Sequence, residues 1–440
     1  MQEAVAQRRR IGPASVKDPL KWLYRGVALW LIVNYLRPQD IVKPIGALPL
    51  GYIACLIMAI AWFRCKDMEI AKHRFSKLHA AMLVVIALGV ANAVNTYWLF
   101  QNFVTMATYW VVFFLCLPML MKSPEYRPKI IRILFLCFGV IGLWVVTHGG
   151  HGQGAFLGDE NDAALALVVG FGFCFPMRSE LKSGAGKIFG IVVLGLCLAG
   201  IVVTLSRGGF LGLVAVLFAV AYFSGRILKT LGTILLFAIL AIPFVPDKYV
   251  AEMNTISDPK ESTRVQRLYM WRIGVQQWMS NPIFGVGAGN YPYRVADYEV
   301  TEFVQRANIF NRSFAGRSVH SAYFQLLPEL GTLGAIIFLL MAGGILKQGL
   351  VVGRAAGDKD DIAVRLAQGT AAGMCAFLVA GAFVSVLYYP QFWMLCGLGV
   401  AVDSIRGSTQ AQPEADSPSK QRARGVSQRK PALPASVPAN

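Results

Sequence analysis

Charge is scarce in this 440-residue sequence. Asp, Glu, Lys and Arg make up 15% of it, 55% is hydrophobic, and mean hydropathy is +0.52. So little charge excludes an ordinary soluble domain of this length and points to a polytopic membrane protein. Acidic residues are the scarcer sign, 24 against 42 Lys and Arg, leaving a formal net charge of +18. In a soluble protein that excess would suggest a nucleic-acid partner; here most of it is explained by membrane topology, and no nucleic acid is expected. Cysteine pairing is also missing. Cys55, Cys65, Cys116, Cys137, Cys174, Cys197, Cys375 and Cys396 all lie inside or at the edge of apolar segments, so no disulfide framework is implied. No internal repeat of solenoid or inverted-transporter type stands out. No small-residue cleavage site follows the first apolar run, where Arg37, Pro38, Gln39 and Asp40 come instead, so that run is expected to stay as a membrane segment.

What is present is a series of apolar runs near the ~20 residues a bilayer crossing needs. They fall at 23–36, 45–63, 78–98, 103–121, 130–147, 162–177, 188–205, 209–223, 230–246, 320–345, 366–387 and 391–405. The expectation is an all-α, polytopic integral membrane protein of about 12 transmembrane helices. Residues 1–405 form one membrane domain, 247–319 a long outer loop containing short helices, and 406–440 a disordered cytoplasmic tail rich in Ser, Pro, Ala and Gln. Cations set the orientation. Arg8, Arg9, Arg10, Lys17, Lys21 and Arg25 precede the first crossing, and every second connection after it is basic: Arg64 to Lys77, Lys122 to Arg132, Arg178 to Lys187, Arg226 and Lys229, Lys347 to Arg365. The alternate connections, at 95–98, 149–158 and 388–391, are poor in cations. Positive-inside bias therefore places both termini in the cytoplasm and the long loop outside.

That topology leaves arginines on the outer face with no topogenic reason to be there. Ser206, Arg207, Gly208 and Gly209 join crossings seven and eight, and Arg264, Arg267, Arg272, Arg294, Arg306, Arg312 and Arg317 lie in the long loop. An arginine at that depth either pairs with a carboxylate or binds an anionic ligand. Within the loop, Val265, Leu268, Trp271, Val275 and Trp278 recur close to helical spacing, predicting an amphipathic helix over 264–279 that lies on the membrane or on the bundle. Arg267 and Trp271 share one face of it, so the ring can pack on the guanidinium stem. Asn281 and Pro282 stop the helix. Gly285, Gly287 and Gly289 then make a bare strip, which lacks the strand–helix context of a dinucleotide site and suits the approach of a bulky ligand. His320 opens crossing ten.

Four sets in this order, Ser206 to Gly209, Arg267 with Trp271, Asn281 to Gly289, and His320 with Tyr323, Gln325, Glu329 and Gly331, resemble the O-antigen ligase/polymerase superfamily. The stretch Gly154 to Asn161, which opens crossing six, is similar to that family's outer-loop signature. One departure is visible: Ser321 follows His320 where the family usually has asparagine. The resemblance implies a metal-independent, cofactor-free glycosyltransferase of a bacterial inner membrane, acting on the periplasmic face. Its donor would be a glycan on a polyprenyl diphosphate such as undecaprenyl diphosphate, and its acceptor a hydroxyl on lipid A-core, on another glycan or on a protein, all met among membrane lipids. An O-antigen ligase of lipopolysaccharide biosynthesis is the first reading. A polymerase or a protein O-glycosylation ligase of the same superfamily is the alternative, and a flippase or transporter is the alternative of another class. The chemistry fits the residues. A leaving diphosphate needs planar, permanently charged forks, which Arg207 and Arg267 supply. An acceptor alcohol needs a base near neutral pH, for which the His320 imidazole is suited. Ser206, Asn161, Trp271, Arg294, Arg312, Arg317, Ser321 and Glu329 are possible supporting residues.

Each residue also has a plainer reading. Arg207 could cap the carbonyls ending crossing seven, Arg267 could be a solvated charge, and His320 could be a polar anchor at a helix start. Glu329, inside crossing ten, is expected to pair with an arginine or stay protonated, in a structural role. Asp159, Glu160 and Asp162 form an acidic knot that could hold a metal, but Asn161 or Asp162 capping the following helix explains it better. His148 and His151 have metal-like spacing and lack a third ligand.

Overall fold

The computed structural model describes residues 18, 20–42, 44, 48–65, 67–154, 157–225, 227–228, 232, 262–300, 313–354 and 361–415. Among them the protein is all-helical, with no strand. The long helices are α1 (Leu20–Leu31, continued by a π turn to Leu36), α2 (Leu50–Cys65), α3 (Arg74–Leu88), α4 (Thr96–Tyr109, running on to Lys122), α5 (Arg127–Thr147), α6 (Glu160–Met177), α7 (Gly184–Val203), α8 (Arg207–Phe223), α9 (Ser262–Ser280), α10 (Ala322–Gln348), α11 (Ile362–Ala380) and α12 (Pro390–Ala415). Seven helical stretches are long and apolar enough to cross a bilayer: Arg74–Asn92, Thr96–Lys122, Arg127–Thr147, Glu160–Glu180, Gly184–Val203, Ala322–Gly353 and Ile362–Phe383. The shorter apolar helices α2 and α8 occupy two further expected crossings, and α1 and α12 occupy the first and last. The ninth expected crossing, 230–246, lies outside the described residues apart from Gly232, as do 416–440 of the expected tail. Helix α12 continues past residue 405 to Ala415.

The turn between α3 and α4 falls earlier than the hydropathy pattern predicts. Asn95 accepts a hydrogen bond from the Trp98 amide at 3.3 Å, so α4 begins at Thr96 and Trp98 belongs to it. An Asx cap overrides a hydropathy boundary because it satisfies a backbone donor that the helix end would otherwise leave open.

Connections gather at two opposite ends of the bundle, alternating along the chain. At one end Lys122 pairs with Asp67 at 3.1 Å, His73 and Arg74 reach Asp403 at 3.1 and 3.6 Å, Arg365 pairs with Glu180, and Tyr126 donates to Asp18. At the other end Asn95 and Asn290 exchange hydrogen bonds of 2.6 and 3.1 Å, Ser206 donates to Asn161 at 2.7 Å, Tyr389 donates to Asp162 at 3.0 Å, and the His320 amide donates to Ser385 at 2.9 Å. The first end holds the basic connections and the second holds the cation-poor ones, so the cation pattern and the packing describe the same alternation.

Burial follows composition. Helix α7 exposes Ile188, Ile191 and Val192, as a lipid-facing helix does, while α6 and α11 are the most buried of the seven spans. They meet through small residues: a Cβ on Gly172 would lie 2.7 Å from the Gly373 nitrogen. Close backbone approach of this kind replaces the hydrophobic effect as the source of helix association in lipid.

Helix α10 is broken. Gly331 has φ 63° and ψ −168°, and the chain from Pro282 to Val286 fills the gap. The Thr332 amide donates to the Pro282 carbonyl at 2.8 Å and the Val286 amide donates to the Pro328 carbonyl at 2.7 Å. These bonds give backbone groups at the break partners from another segment, as irregular chain within a membrane bundle requires. This changes the meaning of the glycine strip. Gly285 has φ +71° and a Cβ on it would lie 2.5 Å from the Glu329 carbonyl carbon. The bare backbone admits another part of this chain, where a bulky ligand was expected.

Candidate active site

The long loop carries a small core of its own: Tyr269, Met270, Ile273, Tyr291, Val295, Phe314 and Val319 are buried together, with Trp271 and Phe324 against them. This core orders the predicted helix, observed as α9, Ser262–Ser280, and packs it on α10. Asn281 and Pro282 end it as expected. The loop's residues are thus presented from a packed surface.

His320 sits between two buried residues, Val319 and Ser321, and is itself exposed. Its φ is 53°, a left-handed conformation that is uncommon for residues other than glycine, though histidine adopts it more often than most. Such outliers collect at functional sites. The His320 Nε2 lies 3.4 Å from Ser318 Oγ. Partial desolvation lowers the imidazole pKa below the ordinary histidine value, and the cations of Arg267 and Arg317 lower it further, against an opposing pull from the Asp159 carboxylate. Arg267, Arg317, Asp159 and His320 are therefore close enough to act on one another.

The second half of the site reaches the same place through Asp159. This residue, and not Asn161 or Asp162, caps α6: its Oδ1 accepts the Asn161 amide at 2.8 Å and the Asn161 side-chain nitrogen at 2.9 Å. Thus oriented, Asn161 presents Oδ1 to the Ser206 hydroxyl. Ser206 Oγ in turn accepts the Gly209 amide at 3.0 Å and caps α8. Arg207 is the first residue of α8. A cation at a helix N-terminus opposes the macrodipole by about 0.3–1 kcal/mol, whereas an anion there is favoured by both the dipole and the open amides. Hydrogen bonds thus link Asp159, Asn161 and Ser206, the residue before Arg207, and the charges of Asp159 and Arg267 both act on His320.

Other expected site residues are placed differently. Trp271 stacks on Phe324 with ring centroids 4.7 Å apart, and its indole N–H donates to the Val319 carbonyl at 3.1 Å. Ser321 is buried, and its hydroxyl accepts the Phe324 amide at 3.5 Å as the cap of α10. Arg317 is exposed beside His320 and lies over the Phe314 ring at 5.1 Å. Arg294 is tied elsewhere, to Asp297 at 3.3 Å and to the Asn92 carbonyl at 3.2 Å. Arg312 lies outside the described residues. His148 stacks on Trp144 at 3.8 Å and His151 lies 3.5 Å from Glu160 Oε1. Ser385 was missed, since 65 residues separate it from His320 and no motif marks it.

Glu329 is buried, and its partners are not arginines. It accepts the Gly289 amide at 2.8 Å, the Tyr291 amide at 3.4 Å and the Tyr388 hydroxyl at 2.7 Å. It staples the loop and the α11–α12 connection to the broken helix. Glu329→Ala would strand three donors, the buried Tyr291 amide at about 1–3 kcal/mol and the half-buried Gly289 amide and Tyr388 hydroxyl at less. The thermal midpoint of the detergent-solubilised protein is expected to fall sharply, and Glu329→Gln, which keeps one acceptor oxygen, is expected to recover part of the loss.

These features define a multi-pass, all-helical membrane protein with a polar site at one end of the bundle. Residues 191–339 match the family model of O-antigen ligases. The matched segment includes Ser206, Arg207, Arg267, Trp271, His320 and Glu329, and leaves out Asp159, Asn161 and Ser385. No curated protein matches the chain. The match supports a membrane protein of the O-antigen ligase/polymerase type with a general role in glycosyl transfer.

Proposed function

We propose that the protein transfers a glycan from a polyprenyl diphosphate to an acceptor hydroxyl at the periplasmic face of a bacterial inner membrane, with both termini cytoplasmic, and that it acts as an O-antigen ligase on lipid A-core. One arrangement supports the reading: the left-handed His320, held at its amide by Ser385, lies within electrostatic range of Arg267, Arg317 and Asp159, and Asp159 is hydrogen-bonded through Asn161 to Ser206 at the start of α8. Arg207 and Arg267 would hold the diphosphate, and their charge would stabilise it as the glycosidic bond breaks. His320 would take the proton of the attacking hydroxyl; cations that keep it neutral keep it competent as a base. The alternation of basic and cation-poor connections supports an outward orientation for this end.

The test uses purified protein with a polyprenyl-diphosphate glycan and a lipid A-core acceptor in detergent, without any energy source. Consumption of the donor with release of the polyprenyl diphosphate is expected; a protein that leaves the donor intact is not this enzyme. Deletion in the native host separates the acceptors. Unattached long chains are the ligase outcome, and a single attached repeat would replace it with a polymerase.

A further inference from the structure

The Val319–His320 peptide is held from both sides. Its carbonyl accepts the Trp271 indole N–H at 3.1 Å, and its N–H donates to Ser385 Oγ at 2.9 Å. Both groups belong to one rigid peptide plane, so two bonds on opposite edges fix its orientation. The next residue, Ser321, is buried as the cap of α10 and fixes the chain on the other side of His320. Between these anchors the His320 Cα has no freedom except the left-handed conformation it adopts, at φ 53°.

We infer that Trp271 and Ser385 are positioning residues: they clamp the Val319–His320 peptide plane and thereby aim the His320 imidazole at the space beside Arg267. The inference rests on the function proposed above, in which His320 is the base. Three features favour a positioning role over ordinary loop packing. The clamped residue is left-handed and not a glycine, so something must enforce the conformation. The clamp comes from two separate elements, α9 and the connection between α11 and α12. Trp271 stands one helical turn from Arg267 on α9, so a rigid helical segment sets the spacing between the guanidinium and the imidazole. Trp271 is itself braced by its stack on Phe324, within the first turn of α10.

The variants are Trp271→Phe, which keeps the stack on Phe324 and loses only the N–H donor, Ser385→Ala, and Ser385→Thr, which keeps the hydroxyl. In full-length protein, Trp271→Phe and Ser385→Ala are each expected to lower kcat by about tenfold to a hundredfold, the range for a small misplacement of a reacting group, with KM for the donor nearly unchanged. Ser385→Thr is expected to restore kcat. An independent readout needs no turnover: the imidazole titration of His320, followed by NMR in 15N-histidine-labelled protein and assigned with His320→Gln. Release of the clamp lets the ring move away from the cations and into water, so its midpoint is expected to rise toward the ordinary histidine value in both loss variants and to return in Ser385→Thr. Variants that fold with wild-type midpoint and wild-type kcat would overturn the clamp. So would a loss of kcat that Ser385→Thr does not restore and that leaves the midpoint unmoved. Full activity of His320→Ala would remove the proposed base instead, while the titration would still decide whether the clamp exists.

Discussion

His320→Ala is expected to lower glycan transfer by about 10²–10⁴-fold, the usual contribution of a positioned general base, with insertion and thermal midpoint little changed. The base must be neutral to accept a proton. Partial desolvation and the Arg267 and Arg317 cations lower its pKa, so the neutral form persists to lower pH than for an ordinary histidine. The acid limb of the kcat–pH profile is therefore expected below the ordinary histidine value, near 6.5. Removing one cation tests the sign: Arg317→Gln takes away a repulsive charge, so the limb should move to higher pH. Transfer rates across pH 5–8 for wild type, His320→Ala and Arg317→Gln decide the matter. An unchanged rate in His320→Ala, or a limb that moves downward in Arg317→Gln, would exclude the imidazole as base.

Arg207→Ala is expected to cost about 10²–10³-fold in transfer, comparable to removing one preorganised donor from a developing charge. Arg207→Lys should recover little of it, because an ammonium is a point charge and cannot grip two phosphate oxygens as a fork does. Placement at the first residue of α8 sharpens the expectation, since a cation there works against the dipole while a bound anion is favoured by it. The lysine variant separates the roles. A purely electrostatic tether would tolerate it; bidentate binding would not. Equal rates in Arg207→Ala, Arg207→Lys and wild type, measured with saturating acceptor and varied donor, would return Arg207 to an ordinary helix-terminal charge.

Several parts of the site were legible beforehand because their signals are local. The cap at Ser206 precedes a glycine pair and an apolar run, and the helix carrying Arg267 and Trp271 stops at Asn281 and Pro282. Its expected apolar stripe misled: Leu268 is exposed, and the buried face is Tyr269, Met270, Ile273 and Gln277, because the loop packs on α10 and on its own small core. Other parts misled. The glycines at 285–289 looked like room for a ligand and instead receive this chain, Gly285 the broken α10 and Gly287 and Gly289 the stretch from Gly89 to Asn102, since a glycine's freedom states that something comes close without stating what. Ser321 looked able to stand in for a missing asparagine beside His320 and is occupied as a helix cap. Ser385 gave no signal at all.

The sequence by itself determined that this is a multi-pass helical membrane protein, where nearly all its described helices fall, and that its connections alternate between a basic and a cation-poor side. Those properties follow from hydropathy over short windows and from charge counts, which depend on neighbours along the chain. Only the tertiary structure decided that α10 breaks at Gly331, that Glu329 is satisfied by amides and a tyrosine, that Asp159, Asn161 and Ser206 are hydrogen-bonded to one another, and that the charges of Arg267 and Asp159 act on His320. Each of these depends on hydrogen bonds or charges between residues tens to hundreds of positions apart, and packing alone brings such residues within reach.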